Sequence, residues 1–227
     1  MELTPEELRV LGCLVEKQLT TPQQYPLTLN ALVLACNQTS NRDPVVHYGD
    51  ATVEEAVTAA KGRGLARFVH PSHGRSALRY RHELDDVLGL DERQLALLAV
   101  LVLRGAQTPG ELRARTERMA DFSDLAEIEA ELRALADRHD PLVARLPRRP
   151  GHKEDRYAHT MGEGGVDGSA APEPVHHHSG PSRLPESPPA RLERPPAEDL
   201  SQQLAHLRAE VAELRRGLDE LRAQLGG

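Results

Sequence analysis

Residues 65–82 read Leu-Ala-Arg-Phe-Val-His-Pro-Ser-His-Gly-Arg-Ser-Ala-Leu-Arg-Tyr-Arg-His, and residues 142–159 repeat the pattern without a gap at an offset of 77. Leu65 falls on Leu142, Gly74 on Gly151, and Arg79, Tyr80 and His82 on Arg156, Tyr157 and His159. In each copy two short runs flank a turn-forming stretch, which predicts a β-hairpin. Upstream, Thr21-Pro22 falls on Thr108-Pro109 at an offset of 87, so the first copy carries ten extra residues, placed around Gln38–Tyr48. Self-similarity at a fixed offset marks a duplicated unit.

Three helical patterns precede each hairpin. Thr4-Pro5-x-Glu7 reads as an N-cap, a proline in the first turn and a capping-box acid. Leu8, Leu11, Val15 and Leu19 then share one face at helical spacing. A second helix is expected after Pro26 and a third from about Thr52 to Gly62 or Gly64. The second copy predicts helices over 91–104, 108–116 and 123–138. Three helices and a hairpin make a winged-helix arrangement. The expected fold is mainly α with small β-hairpins: winged-helix domains at 1–88 and 89–160, a linker and a C-terminal helix.

The stretch Tyr25-Pro26-Leu27-Thr28-Leu29-Asn30-Ala31-Leu32, followed by Ala35-Cys36-Asn37-Gln38-Thr39-Ser40-Asn41-Arg42-Asp43-Pro44-Val45, closely resembles the signature of the YceH family of bacterial proteins. The Leu-Gly-Cys-Leu-Val-Glu-Lys segment at 11–17 also fits. The resemblance covers roughly residues 1–160 and implies a tandem winged-helix fold; it implies no activity. The ordinary reading of the Gln38–Asp43 run is a turn-rich loop between two helices.

Composition narrows the function classes. Of 227 residues only six are aromatic, with no Trp, which removes stacking platforms and aromatic cages. No apolar run approaches the ~18–20 residues of a membrane span, and the acidic N-terminus is not a signal peptide, so a cytoplasmic location is expected. Cys13 and Cys36 lie in apolar helical runs and read as reduced core thiols. Residues 1–88 carry nine basic and eleven acidic side chains, and 89–160 twelve and thirteen, without the basic excess of a strong nucleic-acid binder. No phosphate loop, nucleophile elbow or zinc motif is present in the sequence. His176-His177-His178 lacks the neighbours of a metal site. A non-enzyme without cofactor or metal is expected.

The hairpins hold the candidate nucleic-acid contacts: Arg67, Arg75, Arg79 and Arg81 in the first, with Lys61 and Arg63 closing the helix before it, and Arg145, Arg148, Arg149, Lys153 and Arg156 in the second. Guanidinium groups pair with phosphate oxygens regardless of sequence. The competing reading is a solvated hairpin whose arginines pair with nearby acids, as Glu154 and Asp155 suggest. Both third helices open on acids, namely Asp50, Glu54 and Glu55 in one and Asp124, Glu127 and Glu129 in the other. Acids there complement the helix dipole but repel phosphate.

Residues 161–198 are rich in Pro and Gly and are expected to form a disordered linker. From 199 to 227, Leu200, Leu204, Leu207, Val211, Leu214, Leu218, Leu221 and Leu225 follow alternating 4- and 3-residue steps, the heptad pattern of a coiled coil. Glu210 would face Arg215 of a parallel partner, which favours a parallel dimer. Tethers of 38 residues would span ~30–35 Å as flexible coil, making weak binding bivalent. The function expected is a DNA-binding or regulatory factor of low sequence specificity; the alternative is a protein-interaction scaffold whose winged-helix domains bind a protein partner.

Overall fold

A computed structural model describes residues 2–70, 77–148 and 154–162. The linker beyond Gly162, the heptad segment, the histidine triplet, Arg75, Arg149 and Lys153 lie outside the described residues. Helix α1 (Pro5–Thr20) is followed by a single 3-10 turn (Pro22–Gln24), strand β1 (Leu27–Thr28), α2 (Leu29–Cys36), α3 (Asp50–Gly62), β2 (Ala66–Val69) and β3 (Arg79–His82). A short α4 (Leu84–Leu88) leads to α5 (Glu92–Arg104), α6 (Pro109–Thr116), α7 (Leu125–Ala136), β4 (Val143–Leu146) and β5 (Arg156–His159). The fold is thus mainly helical with two small antiparallel sheets, ordered β1-β3-β2 and β4-β5.

The helix starts follow from their caps. Thr4 accepts the Glu7 N–H at 3.2 Å while Glu7 accepts the Thr4 N–H at 2.9 Å, and Thr108 with Glu111 repeats that box at α6. Asp91 and Asp124 cap α5 and α7, and Thr28 caps α2. The repeat register differs here from the expected one. The counterpart of Thr108 is Thr28, whereas Thr21 ends α1, its N–H and hydroxyl both donating to the Lys17 carbonyl. The extra residues of the first copy are therefore distributed: α1 has 16 residues against 13 in α5, the connection to the next helix runs over 21–28 against 105–108, and that before the third helix over 37–49 against 117–124. A Thr-Pro pair suits both ends of a helix, because a hydroxyl can accept from the first turn or donate to the last.

The duplicated halves share one hydrophobic core. Leu8, Leu11, Leu14 and Val15 of α1 are buried together with Leu97, Leu98, Leu101 and Leu103 of α5. Gly12 permits the close approach: a β-carbon there would lie 2.9 Å from Leu103 Cγ and 3.1 Å from Val102 Cγ1. Leu3 completes the join, its N–H donating to the Met161 carbonyl at 2.8 Å. Second-half packing is led by Leu112, Ile128, Leu132 and Leu135, all fully buried.

Candidate functional site

Loop 37–49 carries the Gln38–Asp43 run and is organised by a buried arginine. Arg42 donates from Nη1 and Nη2 to the two Glu16 oxygens at 3.0 and 2.6 Å. Its Nε and Nη2 also reach the Ala35 carbonyl at 3.1 and 2.9 Å. Burial pushes the Glu16 carboxyl up, but hydrogen bonds from Arg42 and its charge outweigh burial and hold the group below its ordinary pKa. Asn37 ties the far end of the loop, exchanging two hydrogen bonds with the Tyr48 backbone at 2.8 and 2.7 Å.

The same loop grips the second half. The Asp43 N–H donates to the Leu103 carbonyl at 2.9 Å, and Arg104 Nη1 donates to Asn41 Oδ1 at 2.7 Å. Asn41 adopts φ 59°, a left-handed conformation that its short amide side chain tolerates. The loop expected from sequence is thus a staple between halves, which single-sequence reading missed because its partners, Glu16 and Arg104, lie far away along the chain.

Beside the staple a cleft of about 530 Å³ opens where α1, α5 and α6 end. Lys17, Arg104, Arg115 and Arg118 line it, with Val100, Leu103 and Met119 as apolar floor. The loop contributes amides and hydroxyls, among them Asn37, Gln38, Thr39 and Ser40. The negative charge available is small. Glu16 is committed to Arg42, with Lys17 at 3.5 Å, and Glu111 lies 3.4 Å from Arg115. Arg118 is exposed and has no ion-pair partner among the described residues. Burial, then the neighbouring Arg115 charge, pull the Arg104 pKa below its ordinary value. Sequence reading passed over these arginines because Arg104 and Arg115 look like ordinary cations in last helical turns and Arg118 like a solvated charge in the loop that follows.

The described cations named as nucleic-acid contacts all have partners within the chain. Arg67 and Arg81 converge on Glu83, each at 2.8 Å, and Arg63 pairs with Glu7 at 2.9 Å. Arg145 and Arg148 both bind Asp155. Arg79 donates to the Pro26 carbonyl and Arg156 to the Ala106 carbonyl, each at 2.8 Å. Lys61 sits 4.2 Å from the centroid of the Phe68 ring. The first strand pair and the second therefore present guanidiniums that are exposed yet paired.

Two histidines at equivalent positions, His82 and His159, are buried, and burial lowers each to a pKa of about 4. His82 Nδ1 accepts the Leu84 N–H at 3.2 Å, which assigns its proton to Nε2. Cys13 and Cys36 are free and fully buried. Among the described residues no cluster of His, Cys, Asp and Glu could hold a metal, and no helix is long and apolar enough to cross a membrane.

Residues 3–152 match the family model described as "Protein of unknown function, DUF480". The chain belongs to that family. The chain is similar to a UPF0502 protein of Pelobacter propionicus, 46% identical over 99% of this chain and 98% of that one. One from Geobacter metallireducens is 55% identical over 68% of this chain and 70% of its own length, and one from Shewanella sp. MR-4 is 39% identical over 99% and 100%. The DUF480 match contains the staple, the cleft, the β2–β3 pair and β4, and ends before β5. The alignments to the Pelobacter and Shewanella relatives continue through the Pro-rich and heptad segments as well.

Proposed function

We propose that this DUF480 chain is a non-enzymatic regulatory scaffold whose two winged-helix units bind a protein partner, and that residues 199–227 join two chains in a parallel coiled coil. The observation carrying the protein reading is the pairing of the strand-pair cations: Glu83 answers Arg67 and Arg81, and Asp155 answers Arg145 and Arg148. Both third helices also open on exposed acids, including Glu54, Glu55, Asp124 and Glu129. Such a surface repels a phosphate backbone where a reading helix would need to enter the groove. The likeness of Tyr25–Leu32 and Ala35–Val45 to the YceH signature supports the tandem winged-helix description, as does the repeated order of three helices and a strand pair.

Binding to DNA with low sequence specificity is the second reading, and one observation favours it. The side chains of Arg67, Arg145 and Arg148 remain 64, 64 and 61% exposed, and exposed ion pairs are weak enough for a phosphate to displace the acid. A mobility-shift assay of the full chain with random duplex at low and high salt separates the two. The protein reading predicts no shift at low salt. A shift whose affinity falls steeply with salt would replace it by DNA binding. Light scattering in the same buffer should give roughly twice the 25.0 kDa chain mass; a mass near one chain at tens of micromolar removes the coiled-coil dimer.

A further inference from the structure

The cleft beside the staple brings four cations together with too few acids to answer them. Helix C-termini do attract positive charge, and Lys17 and Arg104 occupy the last turns of α1 and α5. That attraction explains one cation per helix end. It also accounts for Arg115, in the last turn of α6 and 3.4 Å from Glu111, although the Arg115 charge still helps pull Arg104 below its ordinary pKa. It does not explain Arg118, which follows α6 and has no ion-pair partner among the described residues. Like charges held together around a concave space are stabilised by an anion from outside.

The rest of the lining narrows the class of anion. A volume of about 530 Å³ suits a small molecule. No aromatic side chain lines the cleft, so it offers no stacking platform for a nucleobase. The staple loop also lines the cleft; with the Asn37 amide bonded to the Tyr48 backbone and Gln38 Oε1 accepting from Arg42, it offers the Gln38 Nε2 and the Thr39 and Ser40 hydroxyls, groups suited to a hydroxyl-rich body. We infer that this cleft binds a phosphorylated polyol of sugar-phosphate type. Arg115 and Arg118 hold the phosphoryl oxygens, and the Gln38 amide nitrogen with the Thr39 and Ser40 hydroxyls takes the hydroxyl groups. Because Asn41 and Asp43 of the same loop bond to Arg104 and Leu103, a ligand seated there would also tighten the staple between the halves. The inference does not depend on which macromolecule the strand pairs bind.

The test is calorimetric titration of the full chain with fructose 1,6-bisphosphate, glucose 1-phosphate, glucose and inorganic phosphate, at moderate salt. Saturable binding of at least one sugar phosphate is expected, at least tenfold tighter than inorganic phosphate, with none for glucose. Arg115→Ala with Arg118→Ala should weaken it more than tenfold while the circular dichroism and melting temperature stay close to those of the parent. An Arg67→Ala variant, altered on a strand pair, should bind as the parent does. Equal affinity for inorganic phosphate would overturn the polyol assignment. Absence of saturable binding by every probe at millimolar concentration, or binding unchanged by the double substitution, would overturn the site. Duplex DNA losing affinity in the double variant, with no sugar phosphate bound, would reassign these arginines to nucleic acid.

Discussion

Loops 37–49 and 117–124 stand at the same point of the repeat, between the second and third helices of their halves, and they solve the same problem in opposite ways. The second is short and seals its helices with apolar side chains: Met119, Ala120 and Phe122 are each less than 10% exposed. The first is longer and turns a buried guanidinium inward, spending Arg42 on Glu16 and the Ala35 carbonyl and sending Asn41 and Asp43 across to α5. An apolar plug closes one half on itself. A polar staple needs matched partners, and in return it fixes where the two halves meet.

The largest expected effect comes from breaking the staple at its centre. Arg42→Ala leaves the Glu16 carboxylate buried without its partner, and removing one member of such a pair costs about 3–5 kcal/mol. Replacing both, as Glu16→Gln with Arg42→Met, should cost much less, since no uncompensated charge remains. Phe122→Ala in the other loop is expected to cost about 3 kcal/mol through the cavity it leaves. The contrast is read by pairing each change with Arg104→Ala. The Arg42 and Arg104 effects should be non-additive, and those of Phe122 and Arg104 additive, in urea denaturation. Additivity for both pairs would mean that the first loop is no more a link between halves than the second.

The sequence shows some of this architecture and hides the rest, for reasons that are local in one case and long-range in the other. Caps and first turns are readable because all their partners lie within four residues, as at Thr4 with Glu7, Thr108 with Glu111 and Asp124 with Glu127. The strand pairs are readable because the duplication repeats them. Thr21-Pro22 misleads for the same local reason that Thr108-Pro109 informs: one dipeptide ends α1 while the other starts α6, and only the chain's path distinguishes them. The bond from Arg42 to Glu16 spans 26 residues and that from Arg104 to Asn41 spans 63, so no spacing rule reaches them. Arg115 and Arg118 are on paper a helix-end cation and a loop cation, and they line one cleft only when α1 and α5 pack across Gly12.

An intermediate effect is expected from acid, and it tests whether the two halves respond alike. His82 and His159 are equivalent in the repeat, and each is held near pKa 4 by burial, against about 6.5 in the unfolded chain. For His82, Asp85 and Asp86 favour protonation and Arg81 opposes it, with burial prevailing. The unfolded state then binds the extra protons, so stability is fully present above about pH 6.5 and declines as pH falls toward 4. Each histidine should account for about 2 kcal/mol between pH 7 and pH 5. Leucine at either position should remove its share of that slope in urea midpoints measured across the range. A slope untouched by both substitutions would place the acid sensitivity elsewhere.

The smallest effect isolates what Asn41 does. Its side chain accepts the Arg104 bond, and its backbone sits at φ 59°, so one residue carries both a link between the halves and a conformation that most residues resist. Asn41→Gly and Asn41→Ala both lose the link, but glycine enters the left-handed region freely whereas alanine does so at a cost of about 1 kcal/mol. Asn41→Ala should therefore fall below Asn41→Gly by about that amount in denaturant titrations, and the two should respond equally to Arg104→Ala. If alanine and glycine were equivalent, the loop would relax out of its left-handed turn once the amide is gone, and the bond to Arg104 would be what holds the turn rather than the reverse. That outcome would make the second half a condition for the shape of the first half's loop, a stronger coupling than a staple between two preformed parts.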